Sequence, residues 1–165
     1  MRREGPAYVL ALPDVGCADV AVFAAACTEA RDAARAGVEH PVRVAGDRAL
    51  VAYGGDLLPE EGPADWAVER RRQLAADATE VAQAVAEAAL DLGLHDVAAS
   101  ACARGLEIDR YHDGLWRRLV DAQERSGDLA AAARTQERYH EVLRELGLPA
   151  EPAAAGSDAE LALDA

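Results

Sequence analysis

Gly93 and Gly127 stand 34 residues apart, and each separates two segments with helical apolar spacing. In that frame Ala82 falls on Trp116, Val85 on Leu119 and Ala98 on Ala132. A repeated helix–turn–helix unit cannot bury its apolar face alone, so it stacks on its neighbours. The small residues Ala98 and Ala132 let paired helices approach closely. Upstream, Leu74, Ala78, Val81, Val85, Ala88 and Leu92 recur at spacings of 4, 3, 4, 3 and 4. That keeps one narrow apolar face along a helix from just after Pro63 to Leu92. About 29 residues span roughly 43 Å.

A period of 34 in such a unit is the tetratricopeptide signature. The spacing predicts further helices over 20–36, 44–53, 96–108, 113–126 and 128–146. Asp19, Asp96, Asp113 and Asp128 open or cap four of them, and Gly37, Gly54-Gly55 and Gly147 stop three. Two repeats bury too little by themselves, so the helices before Leu74 are expected to cap the first repeat. Alanine, 40 of the 165 residues, favours closely packed helices. The predicted fold is all-α: about six helices in tetratricopeptide-like antiparallel pairs, after a short N-terminal extended segment. Residues 1–18 form that segment, with a strand-like run at 7–12, and residues 19–148 form the helical domain. Residues 149–165, rich in Ala, Pro, Gly and acid, read as an acidic disordered tail.

All 17 basic residues are arginine, against 30 Asp and Glu, for a net charge of −13. Bulk charge of that sign opposes binding to DNA or an anionic membrane. The three cysteines, Cys17, Cys27 and Cys102, are widely spaced, which predicts reduced thiols in a cytosol. Met1-Arg2-Arg3 leads into Glu4-Gly5-Pro6 rather than an apolar stretch, so no secretory leader is expected. No run of 18 apolar residues spans a bilayer. The histidines (40, 95, 112, 140) are scattered, with no zinc-type spacing, no nucleophile elbow and no phosphate loop. The reading is therefore not an enzyme, with no cofactor and no metal.

Candidate residues concern packing and partners. Trp66, Leu74, Val85, Trp116, Leu119, Ala98 and Ala132 are the expected structural core; a partner hot-spot role for the tryptophans is the rival reading. The first helix of each pair lines a concave face. In this frame that face holds Glu80, Gln83, Glu87, Asp91, Arg117, Asp121, Glu124 and Arg125. Five acids against two arginines favour a basic or mixed-charge partner segment; the alternative is a plain solvated surface. Arg70-Arg71-Arg72 fan out around a helix and have acids beside them, as does Arg117-Arg118, so ion pairs outrank phosphate binding. A DNA-binding helix-turn-helix drawn through Val97–Val120 carries too much acid for a recognition helix.

Several segments together resemble one family. They are Tyr53-Gly54-Gly55-Asp56-Leu57-Leu58-Pro59-Glu60-Glu61, then Asp65-Trp66-Ala67, and Leu106-Glu107-Ile108-Asp109-Arg110-Tyr111-His112-Asp113-Gly114-Leu115-Trp116. Gly127-Asp128-Leu129-Ala130-Ala131-Ala132 and Val142-Leu143-Arg144-Glu145-Leu146-Gly147 continue the series. The series resembles the bacterial transcriptional activator domain, which follows a winged-helix DNA-binding domain in actinobacterial regulators of antibiotic pathways. Tyr8-Val9-Leu10 resembles the last strand of such a winged helix, and these 165 residues carry no more of that module. The chain also departs from the family after Leu148, where Ala and Gly replace a further helix. The resemblance implies transcriptional regulation, helical scaffolding and oligomer contacts. It implies a protein partner or self-association, DNA reached only through a winged-helix module in cis or in trans, no membrane, and a cytoplasmic location. The rival reading is a stand-alone tetratricopeptide-like adaptor unrelated to transcription; a DNA-binding protein in its own right ranks third.

Overall fold

Four helix ends share one turn chemistry, and that turn sets the architecture. At the end of α3 (Asp65–Asp91) the Gly93 N–H donates to Leu90 O at 3.0 Å and the Leu94 N–H to Ala89 O at 2.8 Å. At the end of α5 (Asp113–Ser126) Gly127 and Asp128 make the same pair of bonds to Glu124 and Gln123. Both glycines take positive φ, 72° and 86°, a conformation that a Cβ penalises. The same closure follows α1 (Asp19–Arg35) at Gly37 and α6 (Leu129–Glu145) at Gly147. The remaining helices are α2 (Glu39–Ala52) and α4 (His95–Ile108). The computed structural model describes residues 2–4, 7–9, 19–55, 57 and 65–149, with side chains for 19–55, 57 and 67–149.

The helices form three antiparallel pairs, α1/α2, α3/α4 and α5/α6. In the first pair Phe23 meets Tyr53 and Glu29 meets Arg48, so residue numbers run in opposite directions. Successive helices pack throughout, and α1 also touches α3, and α3 touches α5. The first helices of the pairs thus make one layer of a short solenoid. Before them, β1 (Arg2–Glu4) and β2 (Ala7–Val9) form an antiparallel hairpin that pairs Arg2 with Val9 and Arg3 with Tyr8.

The all-α solenoid agrees with the repeat, but α1 and α2 do more than cap it. One core cluster joins Phe23 and Cys27 of α1, Ala49 and Leu50 of α2, and Val81 and Val85 of α3. Cys102 of α4 and Leu115 and Leu119 of α5 complete it. Helix α2 starts at Glu39, five residues before the predicted start. Pro41 is its third residue, where the missing N–H has no intrahelical partner to lose. Capping also differs from the sequence reading at two starts. Helix α4 begins at His95 with no side-chain cap, leaving Asp96 in its first turn. Helix α5 is capped by His112, whose Nδ1 accepts from Leu115 N at 3.3 Å. Asp128 does cap α6, accepting from Ala131 N at 2.9 Å. The run at 10–12, the side chain of Trp66 and residues 150–165 of the expected tail lie outside the described residues.

Candidate interaction face

Helices α1, α3 and α5 present one continuous face, and arginines cross between them. Arg31 of α1 reaches α3, where it meets Asp77 at 2.5 Å and Glu80 at 2.6 Å. The hydrogen bond from Arg31 holds Glu80 below the usual carboxylate range, and the same bond raises Arg31. Glu80 keeps 61% of its side chain in water, so this contact orients the helices more than it stabilises them. From α5, Arg118 reaches Glu87 of α3 and also donates to Gly114 O at 3.1 Å. Gln83 donates to Glu87 at 3.2 Å.

Glu80, Gln83, Glu87 and Asp91 share a stripe of α3 at helical spacing. On α5, Asp121 and Arg125 pair with each other at 2.7 Å, and Glu124 is exposed. Arg117 differs from its neighbours. It pairs with Asp113 at 3.0 Å and hydrogen-bonds Tyr139 of α6, so it sits on the α6 side of α5. Arg118 takes the crossing role. Neither Arg31 nor Arg118 belongs to the repeat-frame set. Arg31 lies outside the 34-residue pair, and Arg118 is one step off the frame. With them and Asp77 included and Arg117 left at the α6 edge, six acids face three arginines, so the face is of mixed charge. Between α1 and α3, Ala30, Ala34 and Ala84 leave a hollow of about 190 Å³, edged by Arg31, Arg35 and Glu80. It suits a single inserted side chain.

Leu74, Val85 and Leu119 lie in the main core, and Ala98 packs with Ala89 and Ala122. Ala132 is buried. Trp116 is 4% exposed and belongs to a separate cluster with Tyr139 and Val142. Its ring stacks on Tyr139 at 6.0 Å, and its Nε1–H donates to Arg110 O at 2.8 Å. Tyr139 in turn donates to Asp113, and burial raises its phenol. Arg138 lies over the indole at 5.6 Å, at the rim of a cleft of about 390 Å³.

The arginine triplet has separate partners: Gln73 for Arg70, Leu57 O for Arg71 and Glu69 for Arg72. In the Val97–Val120 segment, α5 buries Leu115, Trp116 and Leu119 and carries Asp113 and Asp121 beside its arginines. Among the described residues no group of three His, Cys, Asp or Glu is placed to hold a metal ion. No helix there is long and apolar enough to cross a membrane.

Burial pushes the Cys27 thiol up to about 11 and the Cys102 thiol to about 12. Alkylation near pH 8 is therefore expected to spare both in the folded chain and modify both in denaturant, read by mass. Below about pH 9 both states hold these protons. As pH rises from there through the folded values, the unfolded chain ionises first and stability falls. Rapid labelling of Cys27 or Cys102 in the native chain would contradict their burial.

The family model of the bacterial transcriptional activator domain matches residues 18–161. No curated protein and no solved structure matches the chain. The match takes in all six helices, the ion-paired face of α1, α3 and α5, and the Trp116 cluster. With most of its length matched, the chain belongs to the bacterial transcriptional activator domain family, a family of regulatory domains.

Proposed function

We propose that this chain is a helical protein-interaction and oligomerisation domain of a transcriptional regulator. It supports a winged-helix DNA-binding module in the same or a partner polypeptide and reaches DNA only through it. The working unit is residues 19–148, with 149–165 as an acidic tail, and it acts in the cytoplasm without a membrane. The face of α1, α3 and α5 takes the partner through Glu80, Gln83, Glu87, Asp91, Asp121, Glu124 and Arg125, with Arg117 at its α6 edge. The observation that carries this is the run of cross-helix ion pairs, Arg31 to Glu80 and Arg118 to Glu87. They set three helices in register as one mixed-charge surface, a property suited to selecting a partner by charge pattern.

The net charge of −13 sets the first expected result. By fluorescence anisotropy the isolated chain shows no binding to duplex DNA at low or physiological salt. Fused to a winged helix, it is expected to favour a duplex with two half-sites over one with a single half-site. Tethering two readers commonly gains 10²–10⁴ in avidity. Sequence-selective binding by the isolated chain, with a steep salt slope, would overturn the proposal. Equal affinity of the fusion for one and two half-sites would remove its oligomerisation part.

A further inference from the structure

The second helices, α2 and α4, flank a different cleft, of about 610 Å³, whose lining takes nothing from α1, α3 or α5. The two helices run side by side in one direction. At one end Arg104 of α4 donates to Tyr53 O at 3.0 Å, and toward the other end lie Asp47 and Asp96. The wall between is aliphatic, from Leu50, Val51, Val97 and Ala101, and Val51 is 85% exposed. The cleft is thus polar in a definite order along α4: carboxylate, aliphatic surface, guanidinium.

Both charged ends can take a further partner. Arg104 pairs with Glu107 at 3.0 Å, yet its side chain stays 44% exposed and its guanidinium has further N–H donors to give. The bond to Tyr53 O fixes that guanidinium at the end of the cleft. Asp47 pairs with Arg43 at 2.9 Å, whereas Asp96 is exposed and has no ion-pair partner among the described residues. Asp96 and Arg104 stand eight residues apart, about 12 Å along the helix, with the small, exposed Ser100 midway. An occupant must bring a cation to one end, a carboxylate to the other at that spacing, and apolar surface between. The same two helices of a second copy, met in the reverse direction, bring all three.

We propose that α2 and α4 form a two-fold interface with the same helices of a second copy, with Arg104 of each copy beside Asp96 of the other. The charge order selects the symmetry axis. An axis across the helices at the level of Ser100 reverses their direction, forms the Arg104–Asp96 pair twice and brings the two Val51 side chains together. An axis along the helices would set the two acidic ends against each other, which like charge disfavours. The net charge of −13 opposes the encounter of two copies, so the reciprocal pairs choose the face and dilution separates the copies. The interface supplies the oligomerisation proposed above, on which it rests, and leaves the face of α1, α3 and α5 open to a different partner.

Sedimentation of the full chain at physiological salt, over a dilution series, is expected to show a monomer–dimer equilibrium. Val51→Asp, Arg104→Glu and Asp96→Arg are each expected to weaken the dimer about tenfold or more, with helical dichroism kept. An equimolar mixture of Arg104→Glu chains with Asp96→Arg chains is expected to restore it, because each mixed pair is complementary at both ends. A dimer that survives Val51→Asp and both charge changes overturns this interface while leaving oligomerisation in place. So does a mixture that stays as dissociated as its two components. A wild-type chain that is monomeric at every concentration overturns both, and leaves the cleft to a foreign segment with the same order of charges.

Discussion

Trp116→Ala is expected to lower the stability of the chain by about 3–5 kcal/mol, the usual cost of emptying a buried aromatic site. The ring is 4% exposed, so nearly all of its transfer free energy is lost. Two further losses add to it. The stack on Tyr139 disappears, worth about 0.5–1.5 kcal/mol beyond area. The Arg110 carbonyl loses the Nε1–H donor that pins the turn between α4 and α5. Trp116→Phe separates these contributions. It keeps an aromatic ring against Tyr139 but removes the donor to that carbonyl, which belongs to an exposed residue, so the expected cost is about 0.5–1.5 kcal/mol, the net worth of one hydrogen bond. Chemical denaturation followed by helical dichroism checks both variants. Because α6 packs chiefly on α5, α6 is expected to lose hydrogen-exchange protection first in Trp116→Ala. An unchanged midpoint in that variant, together with lost binding of a partner, would move Trp116 from core anchor to interface.

The parts legible in the sequence were those written in local, periodic chemistry. The glycine spacing of 34 reflects two helix ends closed by the same pair of backbone bonds, which need positive φ and so select glycine. The apolar face from Leu74 to Ala88 was legible because one helix, α3, buries it; Leu92, the last residue of the predicted stripe, lies just past that helix and is exposed. Helix α2 was less legible. Its start shows no side-chain cap, and Pro41 looks like a breaker unless it is known to fall in the first turn. The ion-paired face of α1, α3 and α5 was half legible. Spacing alone put Glu80, Gln83, Glu87 and Asp91 on one stripe. The arginines that cross to them are 49 and 31 residues away in sequence, and no local pattern encodes that pairing. Arg117 and Arg118 are adjacent, so one helical step decides which turns to α6 and which to α3. Only the packing angle of α5 settles that.

Gly46→Ala tests the closest approach in the solenoid, and it is expected to destabilise against its own helix propensity. Alanine in a helix interior gains about 1 kcal/mol over glycine. Here, however, a Cβ at position 46 would stand 2.1 Å from Val85 Cγ2 and 3.3 Å from Val81 Cγ1. Val85 is fully buried and β-branched, so its methyl cannot swing aside within a helix. Helices α2 and α3 must separate, and overpacking of this kind costs typically 1–3 kcal/mol. We expect a net loss in that range. Pairing it with Val85→Ala makes the origin testable. Val85→Ala alone opens a cavity and destabilises, but in its presence the Cβ at position 46 enters vacated space. The double variant is therefore expected to be more stable than the two single losses predict, with a coupling of about 0.5–3 kcal/mol. Strict additivity would place the cost of Gly46→Ala elsewhere than the α2/α3 contact. A stabilised Gly46→Ala would show that α2 and α3 lie farther apart than the core requires.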